Sequence, residues 1–267
     1  MPRLKLTIAY VGTHYHGWQI QALKDKEDPP TVQAFLEKAV SHVAGCTVHV
    51  QGAGRTDSGV HADAQVAHCD IPEEKAGVRW PLALNTLLPH DIRVMDACIV
   101  NDSFHACHSA VRKAYTYSLW LDHLCVPPKL YPFVWACGPL DMDRFDAAIP
   151  YLVGTHDFAS LQNAGTPHKS TVRTLFSITR DPARTDEAAL PEGCRLVHVR
   201  FEGNGFLKQM VRNLIGLMTA CGRGRFSPKD IPALLDSCDR RAAPFTAPPQ
   251  GLTMTRIWYD GDELPMR

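Results

Sequence analysis

The hydrophobic periodicity changes in the same order twice along the chain, and this double pattern restricts the fold more than any single residue does. Leu4 to Tyr10 alternates apolar and polar side chains, the period-two signature of a strand. After a charged turn over Lys24–Pro30, Val32, Phe35, Leu36, Ala39, Val40 and Val43 recur on one helical face, with Thr31 as N-cap and Gly45 as stop. Strands are predicted at Thr47–Gln51 and Ala64–Ile71, a short helix near Trp80–Leu88 and a strand at Ile92–Val100. The second half runs in the same order. It has a strand over Val111–Leu121, a Pro/aromatic linker over Val126–Pro139 and a helix over Asp141–Leu152. Strands at Val172–Arg180 and Arg195–Phe201 follow, joined by the connection Asp181–Gly193. An amphipathic helix over Phe206–Cys221 comes next, a further helix starts after Ser227-Pro228, and Pro244–Pro249 leads into a last strand, Leu252–Tyr259. Each half reads β-α-β-β-α-β, the ferredoxin-like order shared with many RNA-binding sheets. The expected fold is α+β, in two such halves, residues 1–105 and 106–267, with the boundary near 101–110.

Composition narrows the function. The 267 residues are 45% hydrophobic, enough for a buried core and too apolar for intrinsic disorder. No apolar run reaches the roughly 18 residues of a membrane helix. The opening MPRLKLTIAY lacks the apolar core and small-residue cleavage site of a signal peptide. The 9 Cys include no pair at the spacing of a zinc knuckle or redox motif, so they read as reduced, mostly buried thiols of a cytoplasmic protein. The 28 Lys and Arg balance 28 Asp and Glu, which excludes an overall basic coat for nucleic acid but not a local one. Between Arg200 and Asp230 there are six cations (Arg200, Lys208, Arg212, Arg223, Arg225, Lys229) against Glu202 and Asp230.

The loop GAGRTDSGVHADAQ, Gly52–Gln65, is the most unusual segment. Gly52, Gly54 and Gly59 permit backbone angles and close approaches that side chains forbid. Arg55 and Asp57 lie two apart, so an extended backbone projects both to one side. An Arg beside a carboxylate keeps it ionised, as a nucleophile or base requires; a solvated turn with a surface ion pair is the plainer alternative. The loop lacks the Gly-Lys-Ser/Thr ending of a phosphate loop and the spacing of a dinucleotide fingerprint. On the Phe206–Cys221 helix, Lys208, Gln209, Arg212, Asn213, Gly216 and Thr219 share a face free of acids. It is either solvated or a cationic edge toward a carboxylate or phosphate. Tyr115 and Tyr117 share a strand face with Val111 and Leu119, as core residues or as a platform beneath a base. The closest His and Cys groups, His14 with His16 and His105 with Cys107 and His108, do not have zinc spacing, so no metal or cofactor is expected.

The Gly52–Gln65 loop resembles the signature of the tRNA pseudouridine synthase A family. The resemblance extends through IAYVGTHYHGWQIQ (Ile8–Gln21), FHACHSAVRKAYTY (Phe104–Tyr117), GNGFLKQMVRNLIG (Gly203–Gly216) and Gly251-Leu252. It implies two joined ferredoxin-like halves with a central, basic catalytic cleft. Carried over by position, Asp57 matches the catalytic nucleophile and Arg55 the residue that intrudes where the target base leaves the stack. Tyr115 matches the tyrosine that packs on the uracil, Arg212 the basic partner of the aspartate, and Leu252 part of the pocket floor. One departure is visible: Cys107 stands where the family has Arg after Phe-His-Ala. The implied activity is isomerisation of uridine to pseudouridine at positions 38, 39 and 40 of the tRNA anticodon arm, by a homodimer and without cofactor. A base in a stem must be flipped out to react, which asks for an intruding Arg and a snug pocket. The competing readings are a non-catalytic RNA-binding module on the same scaffold, which would not need Asp57, and a nucleoside hydrolase, which would want a water-activating base or metal.

Overall fold

The computed structural model describes residues 1–21, 29–122, 126–163, 170–181 and 196–262. Most of the turn expected at Lys24–Pro30 and of the connection expected at Asp181–Gly193 lies outside the described residues. The chain is a mixed α+β protein that divides into two compact units, Met1–Val111 with Thr253–Arg267, and Arg112–Leu252.

In the first unit β1 (Arg3–Tyr10) buries Leu4, Leu6, Ile8 and Tyr10 on one face, as its alternation requires. α1 (Val32–Ala44) starts where the Thr31 side chain accepts the Ala34 N–H, and it stops at Gly45, whose φ of 77° only glycine adopts cheaply. Its apolar face, Val32, Leu36, Ala39 and Val40, is buried. β2 (Gln51–Gly52), β3 (His61–Asp70), α2 (Trp80–Asn85) and β4 (Ile92–Val100) follow. β1 pairs antiparallel with both β3 and β4, and β2 with β3, giving the strand order β4-β1-β3-β2. The strand expected at Thr47–Gln51 is reduced to β2 for a specific reason. The Val48 N–H goes to Ser41 Oγ (2.9 Å) and the Val50 N–H to Glu37 Oε1 (3.0 Å). Gln33 Nε2 donates to the Val50 carbonyl (2.9 Å). Side chains of α1 therefore take the backbone groups that a neighbouring strand would have used.

The second unit contains β5 (Ala110–Trp120), β6 (Trp135–Ala136), α3 (Met142–Asp146), α4 (Ile149–Leu152), β7 (Gly154–Asp157), β8 (Val172–Asp181), β9 (Leu196–Gly203), α5 (Met210–Gly222) and α6 (Ile231–Ser237). β9 lies antiparallel between β5 and β8, β8 pairs with β7, and β6 runs parallel to the end of β5. The expected helix over Asp141–Leu152 is split into α3 and α4, since Pro150 has no N–H for the carbonyl four residues back. The short strands β6 and β7 were not expected. β6 lies within the predicted linker, and β7 is only four residues, GTHD, with no apolar alternation to reveal it. The last strand, β10 (Leu252–Tyr259), pairs parallel with β3 through Thr253 and Met254. It therefore groups with the first unit rather than with the half that precedes it.

One open reading is narrowed and one expectation about burial is corrected. The polar face of the Phe206–Cys221 helix is packed within α5, where Arg212 alone of the 13 residues is not buried, while Lys208 ahead of it is exposed. The described cysteines are free thiols, but Cys46, Cys98, Cys107 and Cys238 are exposed, so they are not mostly buried. No helix among the described residues is long and apolar enough to cross a membrane.

Candidate active site

In the first unit the Ile8–Gln21 segment packs beneath the glycine-rich loop. Gly17 has φ +88°, and a Cβ there would stand 2.5 Å from the Thr56 carbonyl oxygen. The next residue, Trp18, donates its N–H to that same oxygen at 3.1 Å. A Cβ on Gly52 would fall 2.6 Å from the Trp18 ring, and one on Gly12 would fall 2.0 Å from the Val60 carbonyl oxygen. These three glycines are places where only hydrogen fits. Tyr10 Oη and Thr56 Oγ1 share a buried 2.8 Å hydrogen bond. Ser58 Oγ donates to the Tyr15 carbonyl (3.2 Å), and Gln65 Nε2 donates to the Gly54 carbonyl (2.7 Å). Thr56 is thus buried, with exposed Arg55 before it and half-buried Asp57 after it. The Asp57 carbonyl closes the turn by accepting the Val60 N–H at 3.1 Å. Each end of the reactive-looking stretch is clamped by backbone and buried hydroxyls.

The second unit holds Tyr115, Arg212 and Leu252. Tyr115, on β5, is buried and meets Phe206 edge-on, with ring centroids 5.0 Å apart. Arg212, on α5, donates from Nε to the Ala247 carbonyl at 2.8 Å, and the Ala247 N–H returns a bond to the Arg212 carbonyl at 3.1 Å. α5 and the strap 243–247 touch closely, for a Cβ on Gly216 would stand 1.9 Å from the Phe245 carbonyl oxygen. Tyr117 Oη donates to the Pro248 carbonyl (2.7 Å), and Gly251 lies flat on the Tyr117 ring, where a Cβ would come within 2.7 Å. Burial pushes the Tyr117 hydroxyl well above the usual phenol range, against the pull of Arg212. The segment 247–252 that continues the strap therefore ties Arg212, Tyr117 and buried Leu252 into one assembly.

A family model described as tRNA pseudouridine synthase matches residues 6–108 and 148–260. The chain belongs to that family. The tRNA pseudouridine synthase A of Lawsonia intracellularis is 51% identical over 97% of this chain and all of its own length. That of Oleidesulfovibrio alaskensis is 50% identical over 99% of both chains, and that of Coxiella burnetii 40% identical over 97% of this chain and 94% of its own. Among solved structures, a Cbf5-Nop10-Gar1 complex covers 94% of this chain and 48% of that chain at 11% identity with a TM-score of 0.37, a likeness too loose to argue from.

As a pseudouridine synthase family member, the chain has all five expected site residues within matched segments or, for Tyr115, within a motif named above. The sequence did not single out the supports: Tyr10, Gly17, Trp18 and Thr56 beneath the loop, and Arg240 and Thr246 behind Arg212. The first group lay inside a recognised motif, whereas Arg240 carried no local signal. A thiol nucleophile finds no support among the buried cysteines, since burial pushes Cys69 up to about 12 and Cys137 and Cys221 up to about 11. Among the described residues, no three His, Cys, Asp or Glu side chains are grouped to hold a metal ion.

Proposed function

We infer that this chain isomerises uridine in tRNA to pseudouridine, and we propose that it does so at positions 38, 39 and 40 of the anticodon arm. The observation that carries the reading is the full-length similarity to tRNA pseudouridine synthase A together with an Asp57 loop fixed by buried backbone contacts. In the reaction the bond from C1′ to N1 breaks, and one from C1′ to C5 forms. C5 gives up a proton and N1 gains one, so no redox partner or energy source is required.

Asp57 is the nucleophile, and Arg55 takes the place of the departing base. Tyr115 packs on the uracil, and Leu252 contributes apolar floor. Arg212 is the basic partner of the aspartate. Supporting these roles are the motif positions, the burial of Tyr115 and Leu252, and the anchored guanidinium of Arg212. Each half is ferredoxin-like; the β4-β1-β3-β2 order of the first unit favours this. The Asp loop belongs to the N-terminal half, and Tyr115 and Arg212 to the C-terminal half. The chain works in the cytoplasm as a homodimer on tRNA.

Incubation with an unmodified tRNA transcript, followed by mapping of pseudouridine, tests the site assignment. Asp57→Asn keeps size and polarity while removing the charge, and should lower single-turnover formation by roughly 100-fold or more with tRNA still bound. An Asn variant that turns over near the parental rate would leave an RNA-binding scaffold with its chemistry elsewhere.

A further inference from the structure

Arg240 makes hydrogen bonds from all three of its guanidinium nitrogens. Its Nε donates to Asn163 Oδ1 (2.8 Å), and Nη1 donates to the Ala243 and Pro244 carbonyls (3.3 and 3.0 Å). Its Nη2 reaches Asn213 Oδ1 (3.1 Å) and Thr246 Oγ1 (2.9 Å). No carboxylate pairs with it among the described residues, and burial lowers its pKa from the ordinary arginine value. A guanidinium set among neutral acceptors is a costly way to staple a turn, and such networks specify one geometry when every member is satisfied.

The other members are equally committed. Thr246 Oγ1 donates to Asn213 Oδ1 at 2.7 Å. Asn213 Nδ2 donates to the Leu161 carbonyl (2.7 Å) and to Asn163 Oδ1 (3.1 Å). Asn163 Nδ2 donates to Gln209 Oε1, and its N–H to the Lys208 carbonyl. Gln209 has φ 59°, the left-handed region that non-glycine residues rarely adopt, and it sits three residues before Arg212. Its carbonyl accepts the Asn213 N–H (2.9 Å) as the helix begins. The network therefore holds a strained helix start on one side and the 243–247 strap on the other. Both lead to Arg212, through its neighbour Asn213 and through the 2.8 Å bond from its own Nε to Ala247. A planar guanidinium fixed at Nε has its remaining N–H directions fixed with it.

We propose that Arg240, with Asn163, Asn213 and Thr246, is a positioning network that sets the guanidinium of Arg212 for the isomerisation. This rests on the role given to Arg212 above. Arg240 acts through Arg212 and touches neither substrate nor reacting atoms.

The test compares Arg240→Gln, Thr246→Val, Thr246→Ser and Arg212→Met with the parent. Single-turnover pseudouridine formation is followed across pH at saturating enzyme, alongside tRNA Kd and Tm. Arg240→Gln should slow the chemical step roughly tenfold or more, as misplacement of a catalytic group does. It should also move the acid limb of the pH profile upward, since a carboxylate that loses its cation protonates at higher pH. Kd should stay within about twofold. Thr246→Val should shift rate and limb in the same direction, and Thr246→Ser should restore both. A merely structural role lowers Tm and active fraction without moving the limb. If Arg240→Gln does not fold, the Thr246 pair decides alone. Folded Arg240 and Thr246 variants with a parental limb, beside a shifted Arg212→Met, would overturn the proposal and leave the role of Arg212 standing. An unshifted limb in Arg212→Met would remove that role and the proposal together.

Discussion

Gly17 and His68 show how single residues hold the first unit's loops. At Gly17 both the φ of +88° and the 2.5 Å approach to the Thr56 carbonyl exclude a side chain. Left-handed backbone costs a non-glycine residue about 1–2 kcal/mol, and the added methyl must also push Thr56, and Asp57 with it, away. Gly17→Ala is expected to lose pseudouridine formation out of proportion to its loss of Tm, measured by single turnover on the folded fraction. His68 is buried, with Nδ1 accepting the Ala106 N–H at 3.2 Å and with the His105 ring 4.7 Å away. Burial, then the charges of His105 and Arg3, push its pKa down to about 4 from the usual 6.5. The folded state thus keeps His68 neutral while the unfolded chain takes up a proton. Stability should be intact above pH 6.5 and drain away as pH falls from there toward 4. Tm measured against pH should show this slope, and His68→Gln should flatten it. An unchanged slope in the variant would assign the acid sensitivity to other groups.

At the level of elements, periodicity located most of the chain, and its failures have identifiable causes. β4 and β10 match the expected Ile92–Val100 and Leu252–Tyr259 strands residue for residue, and the caps of α1 are Thr31 and Gly45 as expected. The Thr47–Gln51 strand was lost to competition from Ser41, Glu37 and Gln33, which no local pattern reveals. The α5 face stayed open between two readings for a related reason. What packs on Asn213 and Gly216 is the 243–247 strap, some thirty residues on. The motif residues of the candidate site were legible because they are contiguous, whereas Arg240 and Thr246 reach Arg212 only through the fold. A buried ion pair on adjacent strands gives an element-scale prediction. Arg112 on β5 pairs with Glu202 on β9 at 3.1 Å, both sides nearly inaccessible, and Arg200 Nε adds a 2.8 Å bond to the same carboxylate. Removing the acid strips this buried cation of its carboxylate, and breaking a buried pair in that way typically costs about 3–5 kcal/mol. Glu202→Gln should therefore lower the denaturation midpoint far more than Arg241→Gln, whose partner Asp239 is a surface one.

Across the whole molecule the charge sum of zero conceals a segregation. Residues 112–252 carry 17 Lys and Arg against 13 Asp and Glu, and the remainder carries 11 against 15. Screening limits reach to about 8–10 Å at physiological salt, so a polyanion responds to local charge and not to the sum. The cations between Arg200 and Asp230 are not equivalent in the structure. Arg200 is spent on Glu202, Arg212 on Ala247, and Arg223 donates to the Cys137 carbonyl at 2.7 Å. Arg225 and Lys229 are exposed, and Arg225 lines a shallow 310 Å³ depression with Arg144 and Ser227. Each neutralised phosphate contributes about −0.7 to −0.9 to the slope of log affinity against log salt. Two or three phosphate contacts from this segment would give a slope of roughly −1.5 to −3. Neutralising Arg225 and Lys229 together should flatten the slope by about one to two units and leave single-turnover chemistry at saturation nearly intact. Arg223 is the poorer choice for that experiment, since its guanidinium also holds the chain at Cys137 and its loss would mix folding with binding. A parental slope near zero would mean that this segment does not face the RNA, and the search for the phosphate contacts would move to other cations.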